Sequence, residues 1–227
     1  MRGIIFDKDG TLFDFNATWG TWARQMILAE TQGDTDRAGL LADVLGFDMD
    51  GGAFRPGSVV IAEPVDIVAD AILTVISDEK PALIARMNAA AARVPQVPAT
   101  DLNAFFATMQ SSGFRTGVVT NDAEEAAHAH LHAEGVRERI DFLAGYDSGH
   151  GAKPAPGPLL AFCDATGCMP ADCVMVGDSL HDLIAGRAAG MRTVGVLTGP
   201  APAEELSPQA DAVLSSIAEL PAWLGTV

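Results

Sequence analysis

Basic residues are scarce in this chain: 14 Lys plus Arg stand against 30 Asp plus Glu, a formal net charge of −16 over 227 residues. No Lys/Arg-rich run occurs, so the electrostatic footprint that grips a nucleic-acid backbone is missing. An anionic membrane surface repels such a chain as well. No apolar stretch reaches membrane-spanning length, and the opening MRGIIF is too short for a signal peptide. Cysteine is also sparse. Cys163, Cys168 and Cys173 are too few, and odd in number, for a disulfide framework, and no CxxC pair marks a zinc site. They read as reduced, buried thiols, which fits a cytoplasmic protein.

What is present points to a packed globular core. Hydrophobic residues make up 48% and charged residues 19%, enough apolar matter for packing and too much for disorder. Short apolar runs at Gly3–Phe6, Thr116–Val119, Phe142–Ala144, Val174–Val176 and Val194–Leu197 are flanked by turn residues. Such runs read as strands buried on both faces, hence a parallel sheet, with Ala212–Leu214 as a further edge strand. Helical stretches at Ala123–Ala133, Pro158–Thr166 and Asp182–Ala189 lie between them, giving the alternation of an open α/β sheet. More than a hundred residues separate the first strand from the second, far more than a crossover loop needs. Within that stretch Asn16–Thr31, Thr35–Leu45, Pro64–Ser77 and Lys80–Ala92 show helical periodicity or Ala-rich propensity. The expected layout is an α/β core of residues 1–14 and 96–227 with a small α-helical insertion, residues 15–95, over the carboxyl edge of the sheet.

Four segments then fall at expected strand ends, where open α/β sheets bind ligands. Asp7 and Asp9 leave the first strand in Ile4-Ile5-Phe6-Asp7-Lys8-Asp9-Gly10-Thr11. Two carboxylates so spaced can divide the work of nucleophile and acid/base, although a solvated acidic turn would look the same. Thr120 and Asn121 end the second strand with groups able to hold a phosphate oxygen, or simply to cap a helix. Lys153 sits in the stiffened loop Gly151-Ala152-Lys153-Pro154, aimed at charge or lying on the surface. Asp178 and Asp182 share one helix face in Gly177-Asp178-Ser179-Leu180-His181-Asp182. Four carboxylates at one sheet edge repel unless a cation joins them, and hard oxygen ligands with open water positions suit Mg²⁺.

With these motifs assembled, the chain resembles the haloacid dehalogenase superfamily, whose phosphatases carry DxDGT, then Thr or Ser, then Lys, then GDxxxD, in this order. The resemblance covers essentially the whole chain and is nearest to the phosphoglycolate phosphatase-like group. It implies a Rossmann-like core with a helical cap and a Mg²⁺-dependent phosphatase acting on a small phosphorylated metabolite. Asp7 would attack phosphorus, and Asp9 would protonate the leaving oxygen and then activate water. Asp7, the Asp9 backbone carbonyl and Asp178 would hold Mg²⁺, with Asp182 acting through water or on Lys153. Thr120, the Asn121 backbone N–H and Lys153 would hold the phosphoryl oxygens. A phosphosugar mutase of the same superfamily and a non-catalytic binding protein are the competing readings. Lys8 departs from the family pattern, where apolar residues are frequent between the two aspartates.

Three features stand outside the motifs. Arg55, in the glycine-rich loop Gly51–Gly57, either meets a second anionic group of the substrate or lies on the surface. His128, His130 and His132 fall in a polar helical segment expected to face solvent rather than a metal. Phe15, Trp19 and Trp22 follow helical spacing and are expected in the core of the insertion.

Overall fold

In a computed structural model of the protein, which describes residues 2–55, 57–91 and 93–225, the strand and helix pattern resolves into one parallel sheet and a helical insertion. The sheet strands are β1 (Gly3–Phe6), β4 (Arg115–Val119), β5 (Phe142–Ala144), β6 (Cys173–Gly177), β7 (Arg192–Val196) and β8 (Ala212–Leu214). Their order is β5-β4-β1-β6-β7-β8, and every pairing is parallel. The chain runs outward from β1 to one edge, then returns beside β1 and runs to the other. β1 therefore sits at the reversal point, where loops from neighbouring strands diverge and leave an opening.

The sheet is packed on both faces, as its uninterrupted apolar strands require. On one side Ile4, Phe6, Val118, Val174, Val176 and Val194 meet α6 (Leu102–Ser111) and the C-terminal α11 (Leu220–Leu224). Phe6 contacts Phe105 and Phe106 edge-on, with centroids 5.6 and 5.7 Å apart. On the other side Ile5, Val119 and Met175 pack on α8 (Gly157–Thr166) and α9 (Leu180–Ala188). The three cysteines lie there as buried free thiols. The remaining core helices are α7 (Glu124–Ala133) and α10 (Ala203–Leu206). Both α6 and α11 carry start signals: Asp101 accepts a hydrogen bond from the Ala104 N–H as the cap of α6, and Pro221 stands in the first turn of α11.

Between β1 and α6 lie α1 (Phe15–Glu30), α2 (Thr35–Leu45), the short strands β2 (Phe47–Asp48) and β3 (Ala53–Phe54), α3 (Val59–Ala62), α4 (Val65–Leu73) and α5 (Lys80–Ala91). Asp14 and Asp34 cap α1 and α2 through their carboxylates. Ile27, Leu41, Leu45, Phe47, Ile72 and Leu83 form an apolar cluster belonging to this stretch alone. The loop expected at Gly51–Gly57 is partly a hairpin, β2 pairing antiparallel with β3; Pro56 in it, and Ala92 at the expected end of α5, lie outside the described residues. Gly20 on α1 lets the hairpin approach closely, since a Cβ there would stand 2.2 Å from the Gly52 carbonyl oxygen. No helix among the described residues is long and apolar enough to cross a membrane.

Candidate active site

Asp7 follows the last residue of β1, and its backbone N–H continues the sheet by donating to the Val176 carbonyl. The chain then turns at Gly10, which adopts φ +79°. A Cβ at Gly10 would fall 2.2 Å from Asp178, and one at Gly199 would fall 1.8 Å from it, so two glycines let the backbone pack directly against that carboxylate. Thr11 donates its hydroxyl to Asp178 at 3.2 Å.

Lys153 is buried between two carboxylates, its Nζ donating to Asp7 and to Asp182, each at 2.6 Å. The Asn121 side chain braces this loop from both sides, accepting from the Lys153 N–H and donating to the Lys153 carbonyl, each at 3.0 Å. The other oxygen of Asp182 accepts from the Ser179 N–H and hydroxyl at 3.0 and 2.7 Å. Both oxygens of Asp182 are therefore engaged, which suits a residue that fixes Lys153. Thr120, at the end of β4, is buried, and its hydroxyl accepts from the Asp122 N–H at 3.1 Å.

Asp7, Asp178 and Asp182 each bring a carboxylate oxygen within 4.8 Å of the others. Burial pushes the Asp7 carboxyl up to about 7, with Lys153 pulling the other way and Asp182 and Asp9 adding to the rise. Burial, then the charges of Asp7 and Asp182, raise Asp178 well above the usual carboxylate range. Lys153 keeps its proton because Asp182 and Asp7 outweigh the cost of burying the ammonium. One ammonium does not neutralise three carboxylates. The surplus of hard oxygen donors on Asp7, Asp178 and Asp182 fits a divalent cation.

A second buried cation lies beside the first site. Lys8 is fully buried, its Nζ 2.5 Å from Asp9, 3.0 Å from Asp122 and 3.1 Å from His130 Nδ1, and it lies over the Trp19 ring at 5.4 Å. An ammonium can only donate, so His130 Nδ1 is the acceptor and its Nε2–H donates to the Ala91 carbonyl at 2.9 Å. Burial and the adjacent ammonium hold His130 down to about 4, so it is neutral. Trp19 donates its indole N–H to the other oxygen of Asp9 at 2.7 Å. Asp9 and His130 are thus tied to α1 and to the end of α5.

This corrects the expectation of a solvent-facing histidine segment. His130 is buried, whereas His132 is exposed and His128 is half-buried, accepting from Arg137 at 3.0 Å and approaching Glu124 at 3.7 Å. The legible signal was the small and apolar stripe Ala126, Ala127, His130 and Leu131 on α7. Phe15, Trp19 and Trp22 are buried as expected, but they also face the site. With Val68, Met87 and Ala91 they wall a cleft that Asp7, Asp9, Thr120, Asn121 and Lys153 line from the sheet side. The cleft measures about 750 Å³ counted out to its open mouth. His181 stands at its rim, 3.8 Å from Glu63. Arg55 is not brought to the cleft. Its guanidinium pairs with Asp43 at 3.0 Å on the exposed side of the insertion.

A model of the haloacid dehalogenase-like hydrolase family matches residues 1–190. The chain belongs to that family. A phosphoglycolate phosphatase of Xylella fastidiosa (strain Temecula1 / ATCC 700964) is 33% identical over 198 residues, covering 87% of this chain and 81% of the relative. Among solved structures, a predicted phosphoglycolate phosphatase from Haemophilus somnus 129PT superposes with a TM-score of 0.76 at 18% identity, covering 99% of this chain and 98% of the other. A β-phosphoglucomutase from Clostridium difficile superposes with a TM-score of 0.64 at 19% identity, covering 100% and 96%. At those identities the two structures show the shared fold alone. The parallel core expected from the strand pattern is the core of this family of hydrolases.

Proposed function

We propose that the protein is a Mg²⁺-dependent phosphatase that hydrolyses a small phosphate monoester through a phosphoryl group carried on Asp7. The observation that supports this best is the setting of Asp7. It lies at the end of the central strand, 2.6 Å from a buried ammonium and beside Asp178 and Asp182. A carboxylate held against a cation at the sheet opening is placed to attack phosphorus while Lys153 neutralises a phosphoryl oxygen. Thr120 and the Asn121 backbone N–H lie on the same rim and would take the remaining oxygens. Asp182 holds Lys153 in position. Asp9 would deliver a proton to the departing oxygen and then draw one from the attacking water, with Trp19 and Lys8 fixing the orientation of its carboxylate. Asp7, the Asp9 carbonyl and Asp178 would hold Mg²⁺, which when bound supplies positive charge against the spread negative charge of the transferring group.

Residues 15–95 act as a cap in this reading, closing over the sheet edge and excluding bulk water from the phosphoryl group. The three free buried thiols suit a reducing cytoplasm. Phosphoglycolate, the substrate named for the Xylella relative, belongs in the first panel tried.

The test is release of inorganic phosphate from a panel of phosphate esters with Mg²⁺, with acid-quenched protein assayed for a phosphoryl group on Asp7. Labelled phosphate should appear on the wild type and not on Asp7→Asn. Stoichiometric transfer to a sugar acceptor without phosphate release would move the assignment to the mutases. A further variant, Asp9→Asn, should slow alkyl phosphates more than nitrophenyl phosphate, because only the poor leaving group needs its proton.

A further inference from the structure

We infer that the ester this site is built to hydrolyse has an uncharged, largely apolar leaving group, and neither a carboxylate nor a second phosphate. The inference rests on the phosphatase reading and concerns the wall of the cleft remote from phosphorus.

That wall comes from the insertion, and its apolar side chains include Phe15, Trp22, Ile61, Val65, Val68 and Met87. Two of its polar groups are neutral. Asn88 is shared with the Tyr146 hydroxyl at 3.5 Å, and the Trp22 indole N–H is buried with no partner among the described residues. Among the described residues lining the cleft, the only lysine or arginine is Lys153, and Asp7 and Asp182 both hold it. Lys8 is nearby but enclosed by Asp9, Asp122 and His130. At the rim, any positive charge on His181 already faces the Glu63 carboxylate 3.8 Å away. Arg55 is paired with Asp43 on the outside, and Arg86, next to Met87 in sequence, is held away from the cleft by Glu30 and Asp78.

A leaving group carrying a carboxylate or phosphate would therefore give up its hydration against aromatic and aliphatic carbon, with no cation to receive it. Burying an unpaired anion is among the costliest things a site can be asked to do. Glu63 at the mouth and the net charge of −16 add repulsion. A hydrocarbon or aromatic group gains from the same surface. A cationic group is not favoured either, since Lys8 already lies over the Trp19 ring at 5.4 Å.

The experiment has two arms. In the first, kcat/KM with Mg²⁺ is measured for benzyl phosphate, hexyl phosphate, phosphoglycolate, pyrophosphate and phosphocholine. The uncharged esters should exceed the others by about tenfold or more, the scale on which apolar pockets discriminate. Phosphoglycolate, pyrophosphate or phosphocholine matching or exceeding them overturns the inference.

The second arm needs no turnover. Quenching of tryptophan fluorescence reports binding of benzylphosphonate against phosphonoacetate, with Trp19 and Trp22 at the wall. Benzylphosphonate should bind about tenfold more tightly. Equal or reversed affinities overturn the inference. If benzylphosphonate is preferred but no ester releases phosphate, the phosphatase reading fails and the selectivity of the wall stands.

Discussion

The two sides of the cleft solve opposite physical problems. The sheet side crowds charge: Asp7, Asp178 and Asp182 with Lys153, then Asp9 and Asp122 with Lys8. Each carboxylate there is buried or nearly so, and each ammonium is shared between two of them. The insertion side is almost all carbon, with the neutral Trp22 indole and Asn88 amide and one carboxylate, Glu63, at the mouth. Charge fixed in a water-poor opening is what moving a phosphoryl group requires. A smooth apolar wall cannot contribute to that chemistry, but it can choose which group is attached to the phosphate. The comparison teaches that reaction and selection are held by different segments of the chain, joined where Trp19 meets Asp9 and His130 meets Ala91.

The largest effect should come from breaking the charged side at Asp7. Asp7→Asn keeps the shape and removes the nucleophile, so kcat should fall by about a thousandfold or more. Single-turnover kinetics on nitrophenyl phosphate would measure it. A variant retaining a tenth of wild-type activity would place the nucleophile elsewhere.

Metal removal should expose the same crowding as a dependence on pH. The Asp7 carboxyl is raised from 3.8 to about 7, so between those values the folded protein binds more protons than the unfolded chain. Without metal, that group's contribution makes stability fall as pH rises through this window. A cation among the carboxylates displaces the protons and reverses the loss. The gain in Tm from Mg²⁺ over EDTA should therefore be larger at pH 8 than at pH 5, at roughly 2–4 °C per kcal/mol for a chain of this size. Equal gains at both values would mean that the cation binds away from Asp7 and Asp178.

His130 tests the joint between the two sides, with the opposite sign. Its pKa is depressed to about 4, so the unfolded chain binds the proton first between there and 6.5. Its contribution is present above about 6.5 and is lost as pH falls toward 4. His130→Gln lacks this titration. Denaturant unfolding at a series of pH values should show wild type losing up to about 3 kcal/mol relative to the variant across the window. A difference that stays constant with pH would mean that His130 titrates normally and is not held neutral by Lys8 and burial.

Much of this was readable in the sequence, and the reasons differ by element. β1, β5 and β8 fall where the apolar runs place them: the fully buried β1 leaves a continuous apolar signature, and the half-buried edge strands β5 and β8 are short apolar runs set off by turn residues. That Asp7, Lys153, Asp178 and Asp182 come together was legible because each lies in a segment that follows a strand of the sheet. The pairing of His130 with Lys8 is not legible, even though the stripe on α7 marks His130 as buried, since the two lie more than a hundred positions apart. Short-range periodicity carries no trace of such pairing. The same limit hid the second role of Trp19 and Trp22, since helical spacing marks a buried face without showing what lies opposite.

Arg55 should give the smallest effect, and it discriminates most directly between the two sides. The sequence makes it an attractive anchor, a lone arginine in a glycine-rich loop of the insertion. The fold turns it outward, 53% exposed and paired with an Asp43 that is 69% exposed. An ion pair so open to water contributes little because screening and side-chain entropy offset the attraction. Arg55→Ala should change stability by less than about 0.5 kcal/mol. It should also leave unchanged the ratio of kcat/KM for benzyl phosphate over phosphoglycolate. Ile61→Ala, which trims the cleft wall itself, should lower that ratio by roughly threefold to tenfold. If Arg55→Ala instead raises the ratio by impairing phosphoglycolate alone, the hairpin must swing inward when substrate binds. Arg55 would then supply the cation that the wall lacks, and the division between a charged side and a neutral side would not survive.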